Sequence, residues 1–391
     1  MSGRLVRWAC TAAVAGALLA PVPAGAAPGP GPDTGTDTGQ DAGQDRSVAG
    51  LLTDLQGLYR KAEQATEAYN ATEEELKKRR KAADGLAAQL ARARGDLHSS
   101  QVAAGRMARE QYQGSSDISP YVRLLLARDP QQALDQGHVL RRAAKEQQAA
   151  IARLVGREKK TDGLATEARA ALDRQLQLTA KKRKERDSVQ KRLKDVEELL
   201  ASLSPDQLAE LAKLEKKGTA DAQREFVASG ALSSAPRSPS TAGNAALRYA
   251  VEQIGKPYVW GAEGPDSFDC SGLTSQAWGH AGKTIPRTSQ EQWAQLRRVP
   301  IGELRPGDLV VYFPEATHVA LYLGDGMVVQ APRPGARVKV SPIAANPVLG
   351  AVRPDPAADA MTGYRAPALP EGATDGDDTG YADTGAPPSP S

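Results

Sequence analysis

A heptad spacing of small and apolar residues dominates the first half of the chain. From Leu51 to Leu76 these residues recur at alternating steps of four and three, and the same register continues from Ala83 to Met107. Such a sustained period places one apolar stripe along a helix, which is typical of a coiled coil. A second proline-free segment, residues 131–204, carries leucine and valine at helical spacing. Two long helices in this order predict an antiparallel hairpin.

The segments next to these arms are short and differ in composition. Residues 114–130 contain two prolines and a compact apolar cluster, which indicates a turn or a small helical tip between the arms. Ser204-Pro205 is a favourable helix start, so a third helix is predicted up to Val227. We therefore assign the helical coiled-coil hairpin to residues 46–228. The Ser-, Pro- and Gly-rich stretch 229–243 is predicted to be a flexible linker.

The two ends of the chain have the composition of processed or unfolded segments. A basic start, an apolar run from Trp8 to Ala20 and a small-residue site at residues 24–26 predict a secretory signal peptide over residues 1–26. The apolar run is too short to span a bilayer as a mature anchor. Residues 27–45 are predicted to be a disordered leader, and residues 356–391 a disordered acidic tail.

The charge and the aromatic content of the chain limit the kinds of partner that it can bind. Charged residues make up 25% of the chain and aromatic residues 4%, which favours long exposed helices over one large core. Lysine and arginine outnumber aspartate and glutamate over residues 46–226. A basic rod can lie on an anionic polymer or a membrane surface, or its charges can simply be solvated. The export signal argues against nucleic acid as a partner.

The sequence after the linker changes to that of a compact domain, assigned to residues 244–355. Helices are predicted at residues 247–254, from Cys270 onward, and from Thr288 or Ser289 onward. Alternating apolar residues then predict four strands, at residues 309–313, 317–323, 327–331 and 337–340. Helices followed by antiparallel strands predict a small α+β domain.

Cysteine usage points to one reactive position. The chain has two cysteines, and Cys10 lies in the predicted signal peptide, so no internal disulfide is expected in the mature protein. Cys270 begins a predicted helix, with Ser267 or Asp269 as its cap. The helix dipole lowers a thiol pKa there, whereas the charge of Asp269 opposes that effect. A buried small hydrophobic residue is the alternative interpretation of this cysteine.

A nucleophilic cysteine needs a base, and the chain has four histidines. His98 and His138 belong to the predicted hairpin. His280 follows Cys270 by ten residues on what reads as the same helix, about 15 Å away. His318, at the start of a predicted strand, is the remaining candidate, with a solvent-facing strand end as the alternative.

The strand after His318 offers a third group. If Gly324-Asp325-Gly326 forms a three-residue loop, Leu323 pairs with Met327, and Gln330 lies on the face of His318. A two-residue loop would turn Gln330 to the opposite face. The amide oxygen of Gln330 could then accept the proton on one imidazole nitrogen, as a neutral orienting group does in Cys-His-Asn sites.

Several ordered motifs resemble one family. GKPYVWGAEGPDSFDCSGL, IPRTSQEQW, RPGDLVVYF and HVALYLGDGMVVQAP, spread over residues 245–353, resemble the NlpC-type papain-like cell-wall endopeptidases. The resemblance implies a papain-like α+β fold. It also implies cysteine-dependent cleavage of peptidoglycan stem peptides, most often between γ-linked D-glutamate and the following diamino acid.

The resemblance also implies roles for single residues. Cys270 corresponds to the nucleophile, His318 to the base and Gln330 to the third member of the triad. The positions that line the substrate groove or stabilise the reacting carbonyl are Tyr258, Asp269 and Ser271. The third position in this family is usually histidine, so Gln330 is a departure. Gly261-Ala262 replaces the glycine pair that commonly follows the Tyr-x-Trp motif.

These observations predict a secreted, cell-wall-associated cysteine peptidase that acts in wall remodelling or cell separation. The alternative is a non-catalytic or weakly active wall-binding adaptor whose coiled coil recruits partners. The hairpin and linker also resemble the layout of actinobacterial division-associated wall hydrolases, which implies a membrane division-complex partner. We expect the hairpin either to fold over the Cys270 groove or to dock on such a partner. No metal-ligand spacing or phosphate-binding loop is present, so no cofactor is expected.

Overall fold

The computed structural model describes residues 47–113, 122, 129–233 and 237–376. The predicted signal peptide and leader, most of the hairpin tip and the end of the acidic tail lie outside these ranges. All statements below refer to the described residues.

Two long helices form the first part of the structure. Helix α1 spans Val48–Gln113 and helix α2 spans Pro130–Ala201. Contacts between them run in opposite chain directions, because Glu73 meets Lys182, whereas Gln111 meets Gln147 much earlier in α2. The predicted antiparallel hairpin of long helices is therefore confirmed, while its supercoiling stays a prediction. Within the described ranges, no helix is apolar enough over a sufficient length to cross a membrane.

The third helix, α3, spans Pro205–Ala228 and attaches the hairpin to the C-terminal domain. Ser204 and Gln207 form a capping box at its start, which explains why a new helix begins so soon after α2 ends. Gln223 donates to the carbonyl of Gly326 at 3.0 Å and accepts from the amide of Ala344 at 3.1 Å. One side chain of α3 thus binds two loops of the following domain.

The C-terminal domain consists of three helices and one antiparallel sheet, as predicted. The helices are α4 (Thr241–Glu252), α5 (Cys270–His280) and α6 (Ser289–Gln295). The strands are β1 (Arg297–Val299), β2 (Leu309–Tyr312), β3 (His318–Gly324), β4 (Met327–Gln330), β5 (Lys339–Pro342) and β6 (Val348–Arg353). Their order across the sheet is β1-β6-β2-β3-β4-β5. Strands β1 and β6 are additions to the predicted set.

Both faces of the central strands are covered. Val311, Val319 and Leu321 lie in the core shared with α4 and α5, where the large side chain of Trp278 is fully buried. The alternate side chains of these strands lie in a second cluster, where Phe226 of α3 packs against the sheet. Because α3 covers that second face, the sheet connects the hairpin to the helices that carry the site.

The segment after β6 differs from the predicted disordered tail. Its backbone contacts the domain up to Gly376: the amide of Met361 donates to Pro239, and the amide of Val340 donates to Ala373, each at 2.8 Å. Composition predicts too little apolar burial for folding, but these contacts use backbone groups, which composition does not report. Disorder of residues 377–391 stays a prediction.

Replacing Gln223 with leucine is expected to loosen α3 from the sheet. Both loop contacts are lost while the size of the side chain is kept, so the free energy of unfolding should fall by about 1–3 kcal/mol. Thermal and urea unfolding followed by circular dichroism measure the change. Lys217→Ala, at an exposed position of α3, is the matched control. Equal stability of the two variants would contradict this attachment.

Candidate active site

Helix α5 places Cys270 at its first position, and Asp269 is its cap. Asp269 Oδ1 accepts the amide of Gly272 at 2.6 Å, which confirms one of the two predicted caps. A side chain at position 272 is excluded, because a Cβ atom there would lie 2.2 Å from the carbonyl oxygen of Ala262. The loop before the helix is thereby held against the first turn, and Cys270 is only 2% exposed.

Asp269 also forms a buried ion pair with Arg287, a residue that sequence reasoning missed. Arg287 Nη1 lies 3.0 Å from Oδ1 and Nη2 lies 2.7 Å from Oδ2, so the contact is bidentate. Burial alone would lower the pKa of Arg287, but the carboxylates of Asp269, Glu67 and Glu263 raise it above its ordinary value. Arg287 also donates to Ser271 Oγ at 2.8 Å, so it links the cap to the residue after Cys270.

His318 begins β3, and its Nε2 atom lies 2.7 Å from Gln330 Oε1. The predicted pairing of Leu323 with Met327 is wrong, because Met327 pairs with Gly324 around a two-residue turn. A bulge between Tyr322 and Gly324 then shifts the register back. The predicted three-residue loop is therefore replaced by a turn plus a bulge, and Gln330 lies on the side of His318 as expected.

The start of β3 meets the start of α5. The backbone amide of Val319, next to His318, donates to the sulfur of Cys270. Tyr258 is buried beside them, and burial, followed by the neighbouring acidic groups, raises its pKa well above the ordinary value. The structure thus brings Cys270, His318, Gln330 and Tyr258 into one site, together with Asp269 and Ser271.

Helix α1 lies over this site and inserts Glu67 into it. Glu67 Oε1 accepts from Ser271 Oγ at 2.7 Å, and Oε2 accepts from the amide of Ser289 at 2.8 Å. The thiol of Cys270 lies 3.9 Å from Oε1. Burial, followed by the charge of Asp269, raises the pKa of Glu67 to about 7, against the opposing effect of Arg287.

Two further side chains of α1 reach the same site. Glu63 Oε1 lies 3.3 Å from His318 Nδ1, and Asn70 Nδ2 donates to Asp269 Oδ2 at 3.0 Å. The spacing from Glu63 to Glu67 to Asn70 is four and then three residues, which places them on one face of α1. Of the two expected positions for the hairpin, the structure shows the one over the Cys270 groove.

The thiol of Cys270 is neutral in this arrangement. Burial raises its pKa well above the ordinary value, and the carboxylates of Glu67, Asp269 and Glu63 act in the same direction. The amide of Val319 lowers it, but not enough to compensate. The expected lowering by the start of α5 is therefore outweighed while α1 is in place.

Sequence reasoning missed Glu63, Glu67 and Asn70 because they flank the predicted heptad stripe. Polar residues beside such a stripe normally face solvent. The sequence indicates only, through their helical spacing, that these three residues share one face of α1. It does not indicate what that face contacts. In the described part of the chain, no cluster of three histidine, cysteine or acidic side chains has the arrangement of a metal site.

The C-terminal domain is similar to known proteins. The model of the NlpC/P60 family matches residues 255–350. A probable endopeptidase of Corynebacterium glutamicum is 50% identical over 92 residues, which cover 24% of this chain and 44% of the relative. The peptidoglycan endopeptidase RipA of Mycolicibacterium smegmatis is 34% identical over 157 residues, which cover 34% of this chain and 32% of RipA.

These matches are confined to part of each protein, and this chain spans less than half the length of either relative. Among solved structures, the NlpC/p60 domain of the peptidoglycan hydrolase SagA is 33% identical. The match covers 28% of this chain and 97% of that domain, with a TM-score of 0.27. Residues 255–350, which include Cys270 and His318, are therefore a domain of the NlpC/P60 family.

Proposed function

We propose that this protein is a secreted cysteine peptidase that hydrolyses peptidoglycan stem peptides. The observation that carries the proposal is the hydrogen bond from the backbone amide of Val319 to the sulfur of Cys270, because it brings the neighbouring His318 to the first turn of α5. Nε2 of His318 lies 2.7 Å from Gln330 Oε1. The match of residues 255–350 to the NlpC/P60 family and the similarity to proteins named as endopeptidases support the same reaction class.

In the reaction, the thiolate of Cys270 attacks the scissile carbonyl, and His318 then donates a proton to the leaving amine. Backbone amides at the start of α5 stabilise the oxyanion of the tetrahedral intermediate. Water releases the acyl-enzyme in a second step. Gln330 acts as an orienting group, because its amide oxygen fixes the plane of the ring without adding a charge.

The substrate bond follows from the family resemblance. We assign cleavage to the bond between γ-D-glutamate and the diamino acid, in wall remodelling or cell separation. We assign Tyr258 and Ser271 to the substrate groove beside the thiol, and Asp269 to the support of this groove through its ion pair with Arg287. A membrane division-complex partner of the hairpin remains part of the proposal.

The closed arrangement gives the hairpin a role in this function. Glu67 occupies hydrogen-bonding groups at Ser271 and Ser289 that a substrate would need, and Tyr69 packs edge-on against Trp260 with 5.1 Å between ring centres. A peptide cannot reach Cys270 while α1 is in place. We therefore propose that the peptidase is restrained by its own first helix until the hairpin moves.

Substituting Cys270 with alanine is expected to abolish hydrolysis, because the acyl-enzyme forms on its sulfur. Purified muropeptides are incubated with each protein, and new amine termini are identified by mass spectrometry. Equal product from Cys270→Ala and the unsubstituted chain would refute the assigned nucleophile.

Substituting Gln330 separates an orienting role from an impaired triad. Gln330→Ala removes the only acceptor described at Nε2 and should lower kcat, with little change in KM. Gln330→His should give turnover close to that of the unsubstituted chain, because the 2.7 Å contact already orients the ring. A large gain with histidine would instead show that glutamine weakens the site.

Removing the contacts of α1 is expected to raise activity. The double variant Glu67→Ala and Asn70→Ala loses the hydrogen bonds to Ser271, Ser289 and Asp269, so closure is weakened. The initial rate of muropeptide cleavage should increase several-fold. The control is Glu75→Ala, whose carboxylate pairs with Arg79 on the surface of α1. An unchanged rate in the double variant would contradict restraint by α1.

The alternative role, a wall-binding adaptor, makes a different prediction. Gln330 is the feature that favours it, because the third position departs from the usual histidine. An adaptor would sediment with purified cell walls but release no peptide fragments, even after the contacts of α1 are removed.

A further inference from the structure

The two carboxylates of α1 face different members of the Cys270–His318 pair. Glu63 lies 3.3 Å from Nδ1 of the imidazole, and Glu67 lies 3.9 Å from the thiol sulfur. The other ring nitrogen, Nε2, is 2.7 Å from Gln330 Oε1. Nε2 therefore has an amide oxygen at hydrogen-bond distance, whereas Nδ1 has the carboxylate of Glu63 at ion-pair distance without a well-formed hydrogen bond. A carboxylate at that distance stabilises a ring protonated on both nitrogens.

An active cysteine peptidase pairs such an imidazolium with the thiolate of its nucleophile. We propose, resting on the peptidase function above, that Glu63 is a decoy counter-ion: in the closed state it takes the place of the Cys270 thiolate at His318. The hairpin then suppresses the ionisation of the nucleophile in addition to covering the groove. Opening removes Glu63, and the thiolate becomes the partner of the imidazolium.

The proton balance of the two states follows directly. In the open state, one proton moves from the sulfur of Cys270 to the ring of His318. In the closed state, the proton stays on sulfur, and the ring takes its second proton from solvent. Closure therefore takes up one proton. A cavity of about 900 Å³ lined by Glu63 and Tyr59 gives water access to this side of the site.

The other charged or titratable groups near Cys270 and His318 do not take the role of Glu63 as counter-ion of the imidazolium. Asp269 is held in its bidentate ion pair with Arg287. Glu67 also raises the pKa of His318, but by less than Glu63 does. Tyr258 is a buried neutral phenol. The ring of Tyr312 lies 5.6 Å from that of His318 and carries no charge. Glu63 is thus the anion placed to hold the imidazolium.

Closure should consequently depend on pH. Burial alone lowers the pKa of His318, but Glu63 raises it above the ordinary value. Burial raises the pKa of Cys270, and it also raises the pKa of Glu67, to about 7. A group whose pKa is higher in the closed state stabilises that state at low pH, and this stabilisation is lost as the pH rises through the closed-state pKa. Cys270 and Glu67 have this sign, and His318 has it in a chain that lacks the thiolate. Closure is therefore favoured in acid, and the part of its stability that comes from Glu67 is lost as the pH rises through about 7.

The charge state of His318 tests the proposal without any turnover. The full chain with Cys270→Ala is labelled with nitrogen-15 histidine, and the imidazole resonances are titrated by NMR; His318→Gln assigns the signal. We expect His318 to titrate above its ordinary value of 6.5. Adding Glu63→Gln should lower the midpoint by about one unit or more, because the effect of burial is then unopposed.

The matched control is Glu75→Gln in the same background, which should leave the midpoint unchanged because Glu75 pairs with Arg79 away from the site. An unchanged midpoint in the Glu63→Gln chain overturns the proposal. Since the nucleophile is absent from every sample, the result does not depend on catalysis. Failure of the peptidase assignment would appear separately, as equal cleavage by the Cys270→Ala chain.

Hydrogen exchange of residues 255–273, corrected for the pH dependence of chemical exchange, reports closure in the same samples. Protection should be greater at pH 6 than at pH 8 in the Cys270→Ala chain, and equal protection would overturn the proton-linked closure. If Glu63→Gln opens the site, Glu63→Asp keeps the charge and should restore both protection and the raised midpoint. Restored protection without a raised midpoint would show a purely structural role and overturn the decoy.

Discussion

The bidentate contact between Asp269 and Arg287 is the interaction on which the site depends. Asp269 is fully buried, and its two oxygens accept from Gly261, Gly272, Asn70 and both terminal nitrogens of Arg287. Removing one partner from a buried pair leaves an uncompensated charge, which costs about 3–5 kcal/mol. This pair therefore joins the start of α5, the preceding loop and the segment before α6, and it gives α1 a place to dock.

The closed site shows how a charged helix face can be buried at a catalytic centre. Glu67 has a donor at each oxygen, and Glu63 lies against an imidazole, so each carboxylate has a compensating group. The same contacts raise the pKa of Cys270 and so oppose formation of the nucleophile. Steric cover and electrostatic suppression thus come from the same few side chains. Opening the hairpin would reverse both at once.

Much of the sheet could be predicted from alternation, but its edges could not. Strands β2, β3 and β4 have regular apolar residues, whereas β1 is three residues long and begins with two arginines. The apolar side chains of strand β6 are interrupted at Gly350, where a Cβ atom would lie 2.8 Å from the Trp293 ring. That glycine is explained by packing against a residue 57 positions earlier. The bulge before Gly324 has no clear sequence signal either, although it decides the pairing next to the turn.

The sequence by itself determined the two long helices, the position of Cys270 behind its Asp269 cap, and His318 as the candidate base. These features depend on local periodicity, helix capping and chain spacing, which neighbouring residues specify. Only the tertiary structure decided that Glu63, Glu67 and Asn70 enter the site, about 200 residues away from Cys270 in the chain. Helical spacing defines which residues share a face of α1, but the docking of α3 on the sheet decides what that face covers.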